Sequence, residues 1–180
     1  MKSIVFFLFV LGHLSMCAQT KFSIKTGEIE FTSNAKLELI KAESKNIQGV
    51  INTANNQFAF LVKVQSFEGF NSKLQKDHFN EKYMESDKFY DATFTGKIME
   101  TINYSKDGEY DVKANGYLTI HGKKQPRTIP AKIKMDQGVL SVVSSFTVVL
   151  ADHDIKIPEI VSTKIATEIY VKMNLVMAPK

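Results

Sequence analysis

Cysteine is nearly absent from this sequence. Cys17 is the only one, and it lies in an N-terminal segment that we expect to be removed. Without it, the mature chain has no internal disulfide, no thiolate metal site and no cysteine nucleophile. Removing 18 of the 180 residues leaves 162, a length that suits one domain stabilised by a single packed core.

Arginine is also scarce. Arg127 is the only arginine among 23 basic residues, and the lysines are scattered along the chain. Proteins that bind nucleic acids usually cluster their basic residues on one face and use arginine to contact phosphates. Scattered lysines with a net charge of +4 are typical of a solvated exterior, so we expect no nucleic-acid partner.

Long apolar runs are lacking too, with one short exception at the N-terminus. Lys2 precedes an apolar run over residues 4–11, and Ala18 is a small residue at the expected cleavage point. This is the layout of a secretory signal peptide, and the run is shorter than the roughly 20 residues of a transmembrane helix. We therefore predict a signal peptide over residues 1–18, one domain over residues 19–180, a periplasmic or secreted protein, and no membrane span after removal of the signal.

Lipid anchoring at Cys17 is a weaker interpretation of the same segment. Residues 14–17 read Leu-Ser-Met-Cys and loosely resemble a lipobox. Met16 is bulky where a small residue is expected before the cysteine. Cleavage after Ala18 is therefore the favoured prediction.

Most of the remaining sequence alternates between apolar and polar residues with a period of two, which is typical of strands with one buried face. Short turn signals, such as those at residues 105–108 and 136–138, separate the alternating segments. About eight antiparallel strands in one domain close most economically into a barrel, because closure removes the exposed sheet edges. We predict an all-β, single antiparallel barrel, and the pattern alone leaves a β-sandwich as the alternative.

An insert of different character, residues 70–91, separates two of the predicted strands. Asn71 and Ser72 are suitable helix N-caps. Leu74, His78, Phe79 and Tyr83 fall near the spacing of one helical face. The insert is too long for a hairpin turn, so we predict a short helix that covers a sheet edge or a barrel end. A second short helix is expected over residues 158–166.

Nine residues on the inward faces of the strands are the predicted lining of the barrel lumen. They are Phe58, Phe60, Val62, Phe94, Tyr110, Leu118, Phe146, Ile169 and Met173. A barrel of this size is either filled by side chains or open for one small ligand. Gly96, Ala114 and Gly116 also face inward and argue for space, but small residues equally relieve crowding where strands bend. The residues alone leave both interpretations open.

Histidine is the remaining candidate for chemistry. His78 follows Asp77, and two aspartates flank His153, but no pair has the i, i+4 spacing of a helical metal site. Neighbours on a strand face opposite sides. His121 lies in a turn signal, where we expect it to meet solvent. We predict no catalytic residue, no metal site and no cofactor.

Three separated segments carry a resemblance to a known family. They read KDHFNEKYMESDKFYDATFTGKI from residue 76, GYLTIHGKKQPRTIPAKI from residue 116 and SSFTVVLADHDIKIP from residue 144. In this order they resemble the YceI-like family of bacterial periplasmic polyisoprenoid-binding proteins, and the resemblance extends from residue 21 to about residue 177. It implies an extended, lipocalin-like antiparallel barrel. The third segment departs from the family pattern: where many members have an aromatic residue and a glycine, this chain has His153 and Asp154.

The resemblance also implies an open apolar tunnel for an isoprenoid or acyl lipid. Leu74, Asp77, His78 and Phe79 would then lie at the mouth, on a helical lid. The leading hypothesis is an exported, non-enzymatic carrier or sequestration protein for a polyisoprenoid, an isoprenoid quinone or a fatty-acid-like lipid. The alternatives are an enzyme that acts on a lipid through Asp77 and His78, and a packed structural or interaction barrel without ligand. The oligomeric state stays open, with a homodimer among the options.

Overall fold

The computed structural model describes residues 21–180. The signal peptide predicted over residues 1–18 and the alternative of lipid anchoring at Cys17 lie outside the described residues, and both stay predictions. Within residues 21–180, no helix has the length and apolarity needed to cross a membrane.

Nine antiparallel strands account for most of the described chain, as the period-two pattern predicts. They are β1 (Lys21–Asn34), β2 (Leu39–Ser44), β3 (Ile47–Asn52), β4 (Gln57–Lys63), β5 (Asp91–Ile98), β6 (Gly108–Ile120), β7 (Lys123–Asp136), β8 (Val139–Val149) and β9 (Glu168–Pro179). One α-helix, α1 (Lys73–His78), continues into a π-helical turn (Phe79–Tyr83). The short helix expected over residues 158–166 forms only in part, as a 3-10 helix at Glu159–Val161.

The sheet closes on itself through β1. One edge of β1 pairs with β9, from Phe22 opposite Pro179 to Thr32 opposite Tyr170. Its other edge pairs with β3 near its start and with β2 near its end. Because β2 and β3 share one position in the ring, the nine strands form a closed barrel of eight positions. The predicted all-β antiparallel barrel is confirmed, and the sandwich alternative is wrong.

The connections between strands gather at two ends of the barrel. We call the upper end the one that carries the turn at residues 35–38, the connection at residues 64–90 that contains the insert, the turn at residues 121–122 and the segment at residues 150–167. The lower end carries the turn at residues 53–56, the segment at residues 99–107 and the turn at residues 137–138.

The lower end is filled by packed side chains. Phe22, Leu140 and Met177 each expose 3% or less of their surface and belong to the largest core cluster. The cluster also includes Ile102, from the segment at residues 99–107. Tyr104 packs against the same cluster, its ring centroid 6.1 Å from that of Phe22. Its hydroxyl donates to Asn56 Oδ1 over 3.0 Å, and burial raises the pKa of Tyr104 to about 12. These residues form the floor of the barrel.

Two of the small inward residues mark a close approach of strands. Gly96 lies opposite Gly116 in the register of β5 and β6. A Cβ atom added at Gly96 would lie 2.1 Å from the carbonyl oxygen of Asn115, and one at Gly116 would lie 2.2 Å from that of Thr95. Of the two roles considered, space for a ligand and relief of crowding, these glycines therefore serve the second, because they allow neighbouring backbones to approach.

Candidate functional site

A cavity of about 480 Å³ extends from the upper end into the barrel. Its lower part is lined by residues such as Ile51, Ile98 and Ile133, and its upper part by Leu74 and Lys164. The volume lies within the range of about 300–1,000 Å³ found for small-molecule pockets. The lumen of the barrel is thus open, and it is not filled by side chains as in the alternative interpretation of the sequence.

Eight of the nine residues predicted for the lumen line this cavity. They are Phe58, Phe60, Val62, Phe94, Leu118, Phe146, Ile169 and Met173. Within this group the rings of Phe58 and Phe94 lie 4.9 Å apart, and those of Phe58 and Phe60 lie 5.5 Å apart. The period-two pattern placed these side chains on the correct face of each strand, and their contact with a ligand stays a prediction.

Tyr110 is the exception, because it does not line the cavity. It faces inward but lies near the start of β6, opposite Ile133 at the lower end. Its ring packs against the core cluster of the floor, and its hydroxyl donates to the carbonyl oxygen of Asn103 over 3.4 Å. A strand pattern specifies the face on which a side chain lies, but not whether that part of the lumen is open.

The insert covers the upper end through a cluster of phenylalanines. Ser72 is the N-cap of α1, its side chain accepting a hydrogen bond from the backbone nitrogen of Gln75 over 3.2 Å, as predicted. Phe79, where the π-helical turn begins, stacks on Phe31 of β1 at 5.3 Å and lies 5.0 Å from Phe70. These ring contacts fix the insert to the barrel wall.

The predicted mouth residues divide into those that face the cavity and one that does not. Leu74, His78 and Phe79 line it, whereas Asp77 does not. Asp77 precedes His78 by one residue and is therefore rotated by about 100° around the helix. Its side chain falls outside the face that α1 turns to the lumen.

Asp77 and His78 therefore do not both face the cavity, as a pair that acts on a bound lipid would require. His78 Nε2 lies 3.1 Å from Lys82 Nζ, and since an ammonium group can only donate, the imidazole nitrogen is the acceptor. Within residues 21–180, no group of three His, Cys, Asp or Glu side chains is arranged to hold a metal ion.

Polar side chains are concentrated at the mouth. Glu38 Oε1 accepts a hydrogen bond from Gln75 Nε2 over 2.8 Å, and Asn71 Nδ2 donates to the carbonyl oxygen of Leu39 over 3.0 Å. Lys164 also lines the cavity, and it follows Thr163, whose carbonyl oxygen accepts from the backbone nitrogen of Leu37. The mainly apolar lumen thus ends at a group of amide, carboxylate and ammonium side chains that can contact the polar end of an occupant.

Two histidines hold the far end of the insert in place. His121 Nε2 lies 2.7 Å from Glu85 Oε2, its Nδ1 lies 3.1 Å from the carbonyl oxygen of His153, and its ring contacts Phe89 edge-on at 4.6 Å. The side chain of His121 is only 11% exposed. The expectation that it meets solvent is wrong, because the insert folds over this turn.

His153 itself is buried, with 1% of its surface exposed. Its Nδ1 lies 3.1 Å from the carbonyl oxygen of Lys123. Burial lowers the pKa of His153 below its ordinary value of 6.5. The following residue, Asp154, adopts a left-handed conformation at φ 55°. The departure from the family pattern at these two positions is thus accommodated by a buried neutral imidazole and a left-handed aspartate.

Sequence reasoning missed Glu38, Lys164 and Phe31 as residues of the site. Phe31 shares the inward face of β1 with Ile29, so the period-two pattern contained its signal. Glu38 and Lys164 lie in connections, where no periodicity indicates which way a side chain faces.

Comparisons with known proteins agree with this architecture. The model of the YceI-like domain family matches residues 6–177. BcnA from Burkholderia cenocepacia is similar in structure, with a TM-score of 0.69 and 18% identity over 83% of this chain and 95% of that protein. A domain from Saccharophagus degradans described as polyisoprenoid-binding gives a TM-score of 0.71 with 15% identity over 88% of this chain and 98% of that one.

A YceI protein from Campylobacter jejuni has a TM-score of 0.51 with 15% identity, covering 100% of this chain and 99% of that one. At these identities the solved structures show the fold alone. Among curated proteins no match to the sequence was found.

Proposed function

We propose that this chain, which belongs to the YceI-like domain family, is an exported, non-enzymatic protein. It would bind one isoprenoid or acyl lipid in its barrel. The observation that carries the proposal is the cavity of about 480 Å³, with a predominantly apolar wall and with Glu38, His78 and Lys164 at its mouth. The structural relative described as polyisoprenoid-binding gives further support.

Binding would follow from burial of the hydrocarbon chain. Each methylene transferred from water to the apolar lumen contributes about 0.8 kcal/mol. A polyisoprenoid, an isoprenoid quinone and a fatty-acid-like lipid all supply such a chain. Their polar ends would lie at the mouth, near Glu38, His78 and Lys164.

Entry and release need the insert to move, because α1 and the π-helical turn lie against the cavity. Residues 71–84 form the proposed lid. Its polar attachments include the contacts of Glu38 with Gln75 on one side and of Glu85 with His121 on the other. Separation of these contacts and of the Phe79 ring from Phe31 would widen the mouth without disturbing a strand.

The experiment that tests this proposal is identification of the occupant. Protein purified from the exported fraction is examined by native mass spectrometry and by solvent extraction, and displacement of a fluorescent prenyl or acyl probe is measured. We expect a bound lipid and saturable displacement. Absence of both would contradict the proposal.

A lumen-filling variant locates the binding site. Ala114 lines the cavity, whereas Ala59 points outward from β4. Ala114→Phe should reduce probe binding at least about tenfold by occupying the space of the chain, and Ala59→Phe should leave it unchanged. Equal binding by two folded variants would show that the probe binds elsewhere.

Export is tested separately, by the mass of the mature protein. Cleavage after Ala18 predicts a chain that begins at Gln19. A mature chain that starts at a lipid-modified Cys17 would instead establish anchoring.

A further inference from the structure

The upper end of the barrel exposes large aliphatic side chains around the cavity mouth. Ile160 is 89% exposed, Leu37 67%, Leu74 63% and Leu39 50%. Single exposed apolar residues are ordinary on protein surfaces. Here four of them lie on the three segments that surround one opening, and such a cluster marks an interaction site.

Hydrogen bonds join the three segments into one surface. The backbone nitrogen of Leu37 donates to the carbonyl oxygen of Thr163 over 2.9 Å, and Asn71 Nδ2 donates to the carbonyl oxygen of Leu39 over 3.0 Å. We call this surface, made of residues 35–39, 71–75 and 159–165, the rim. Because Leu74 and Lys164 also line the cavity, the rim is continuous with the lumen.

The outward charges of the rim are mainly positive. Lys36, Lys73 and Lys164 are exposed, and none of them makes an ion pair within the described part of the chain. Of the two acids in the rim, Glu38 turns into the mouth, where Gln75 donates to it, and Glu159 remains outward. Three unpaired ammonium groups beside protruding aliphatic side chains match the surface of a bilayer that contains anionic lipid.

We propose that the rim docks on an anionic membrane, inserting Leu37, Leu74 and Ile160 among the lipid head groups so that the cavity opens directly onto the bilayer. The inference rests on the proposed lipid-binding function. In this position a lipid chain passes between bilayer and lumen without crossing water, which avoids exposing its methylenes. A protein partner is less well matched, because the aliphatic tips stand on separate connections and form neither a groove nor a free strand edge.

A tryptophan reporter tests the insertion directly. The chain contains no tryptophan, so a single one introduced at the rim gives an unambiguous fluorescence signal. Ile160→Trp should shift its emission to shorter wavelength on addition of vesicles of phosphatidylcholine with phosphatidylglycerol, and less with phosphatidylcholine alone. Met99→Trp is the matched control, because Met99 is 59% exposed at the lower end and should show no shift. Equal shifts, or none, would overturn the proposal.

Vesicle co-sedimentation tests the contribution of the apolar side chains. Replacing Leu37, Leu39 and Ile160 together by serine, none of which lines the cavity, should weaken partitioning about tenfold or more, since binding scales with buried apolar area. The control replaces Met99, Val143 and Val176, which are 59%, 51% and 40% exposed away from the rim. Circular dichroism verifies that both variants are folded. Equal partitioning of the two variants would overturn membrane docking. If the wild type proves to be a dimer and only the rim variant is a monomer, the rim is an interface between copies of the chain, and membrane docking is overturned as well.

Docking and carriage are separated by two readouts. The rim variant should retain bound lipid in native mass spectrometry while it exchanges probe with anionic vesicles more slowly. A wild-type protein that holds lipid but never binds vesicles would overturn docking and leave the carrier function intact. A protein that binds vesicles through the rim but holds no lipid would support docking and contradict carriage.

Discussion

The two ends of the barrel are built differently although the same strands reach both. At the lower end, the floor contains Phe22, Leu140 and Met177 with almost no exposed surface. At the upper end, the insert is held by half-buried rings such as Phe79 and by hydrogen bonds between side chains. The stability of this fold therefore resides mainly in the walls and floor, while the mouth is closed by contacts that can separate locally.

The largest expected difference between the ends comes from removing one leucine at each. Leu140 is 0% exposed, so Leu140→Ala should lower the free energy of unfolding by about 2–5 kcal/mol through loss of apolar burial and creation of a cavity. Leu74 is 63% exposed, so Leu74→Ala should change the free energy of unfolding by less than about 0.5 kcal/mol. Urea denaturation measures both values. Similar losses would contradict the division of roles between the two ends.

A phenylalanine at each end separates stability from access. Phe79→Ala should lower the free energy of unfolding by about 2 kcal/mol, less than for a fully buried ring, and should speed release of a preloaded probe. Phe22→Ala should destabilise more, because Phe22 is buried, yet leave release nearly unchanged under conditions where both variants are folded. Faster release from Phe22→Ala would show that the floor also opens.

High pH should weaken the lower end first. The pKa of Tyr104 is raised to about 12 in the folded state, so the unfolded chain loses this proton near pH 10 while the folded chain retains it. Stability is therefore lost progressively as the pH rises above about 10. Comparison of denaturation curves for wild type and Tyr104→Phe should show a smaller alkaline loss in the variant. Parallel curves would exclude this contribution of Tyr104.

Low pH should weaken the upper end, because there it is uptake of a proton, and not its loss, that burial disfavours. Burial lowers the pKa of His153 below 6.5, so the unfolded chain takes up a proton that the folded chain resists. The stability present above about pH 6.5 is lost as the pH falls below it. His153→Asn keeps a donor for the carbonyl of Lys123 and should reduce this acid sensitivity, whereas His78→Asn, at the mouth, serves as the control. An unchanged acid profile in His153→Asn would contradict the assignment.

The barrel was predictable because one physical signal runs along most of the chain. Period-two alternation identified inward residues such as Phe58, Phe94 and Met173, since a strand that buries one face must alternate. The same signal did not distinguish Tyr110, which packs on the floor, because openness of the lumen depends on what the segment at residues 99–107 brings to it. The glycine pair at Gly96 and Gly116 also needed the structure, since its role follows from the approach of two backbones.

The site was less predictable than the barrel. The helix and its cap at Ser72 follow from local rules, but the turn of Asp77 away from the lumen depends on how α1 is rotated against β1. His121 was misplaced because a turn motif specifies backbone conformation and not the element that later covers it. Lys164 belongs to a connection with no periodic pattern. Local sequence thus predicted elements well and contacts between distant elements poorly.

Pairing of the first strand with the last sets the order of events during synthesis. Since β1 requires β9 for closure, the ring stays incomplete until the residues of β9 have been synthesised and released. Such long-range contacts also slow folding, to about milliseconds or seconds in all-β proteins. A chain synthesised from its N-terminus therefore presents an open, partly apolar sheet before it has a lumen, and the proposed binding of a lipid must follow the arrival of the last strand.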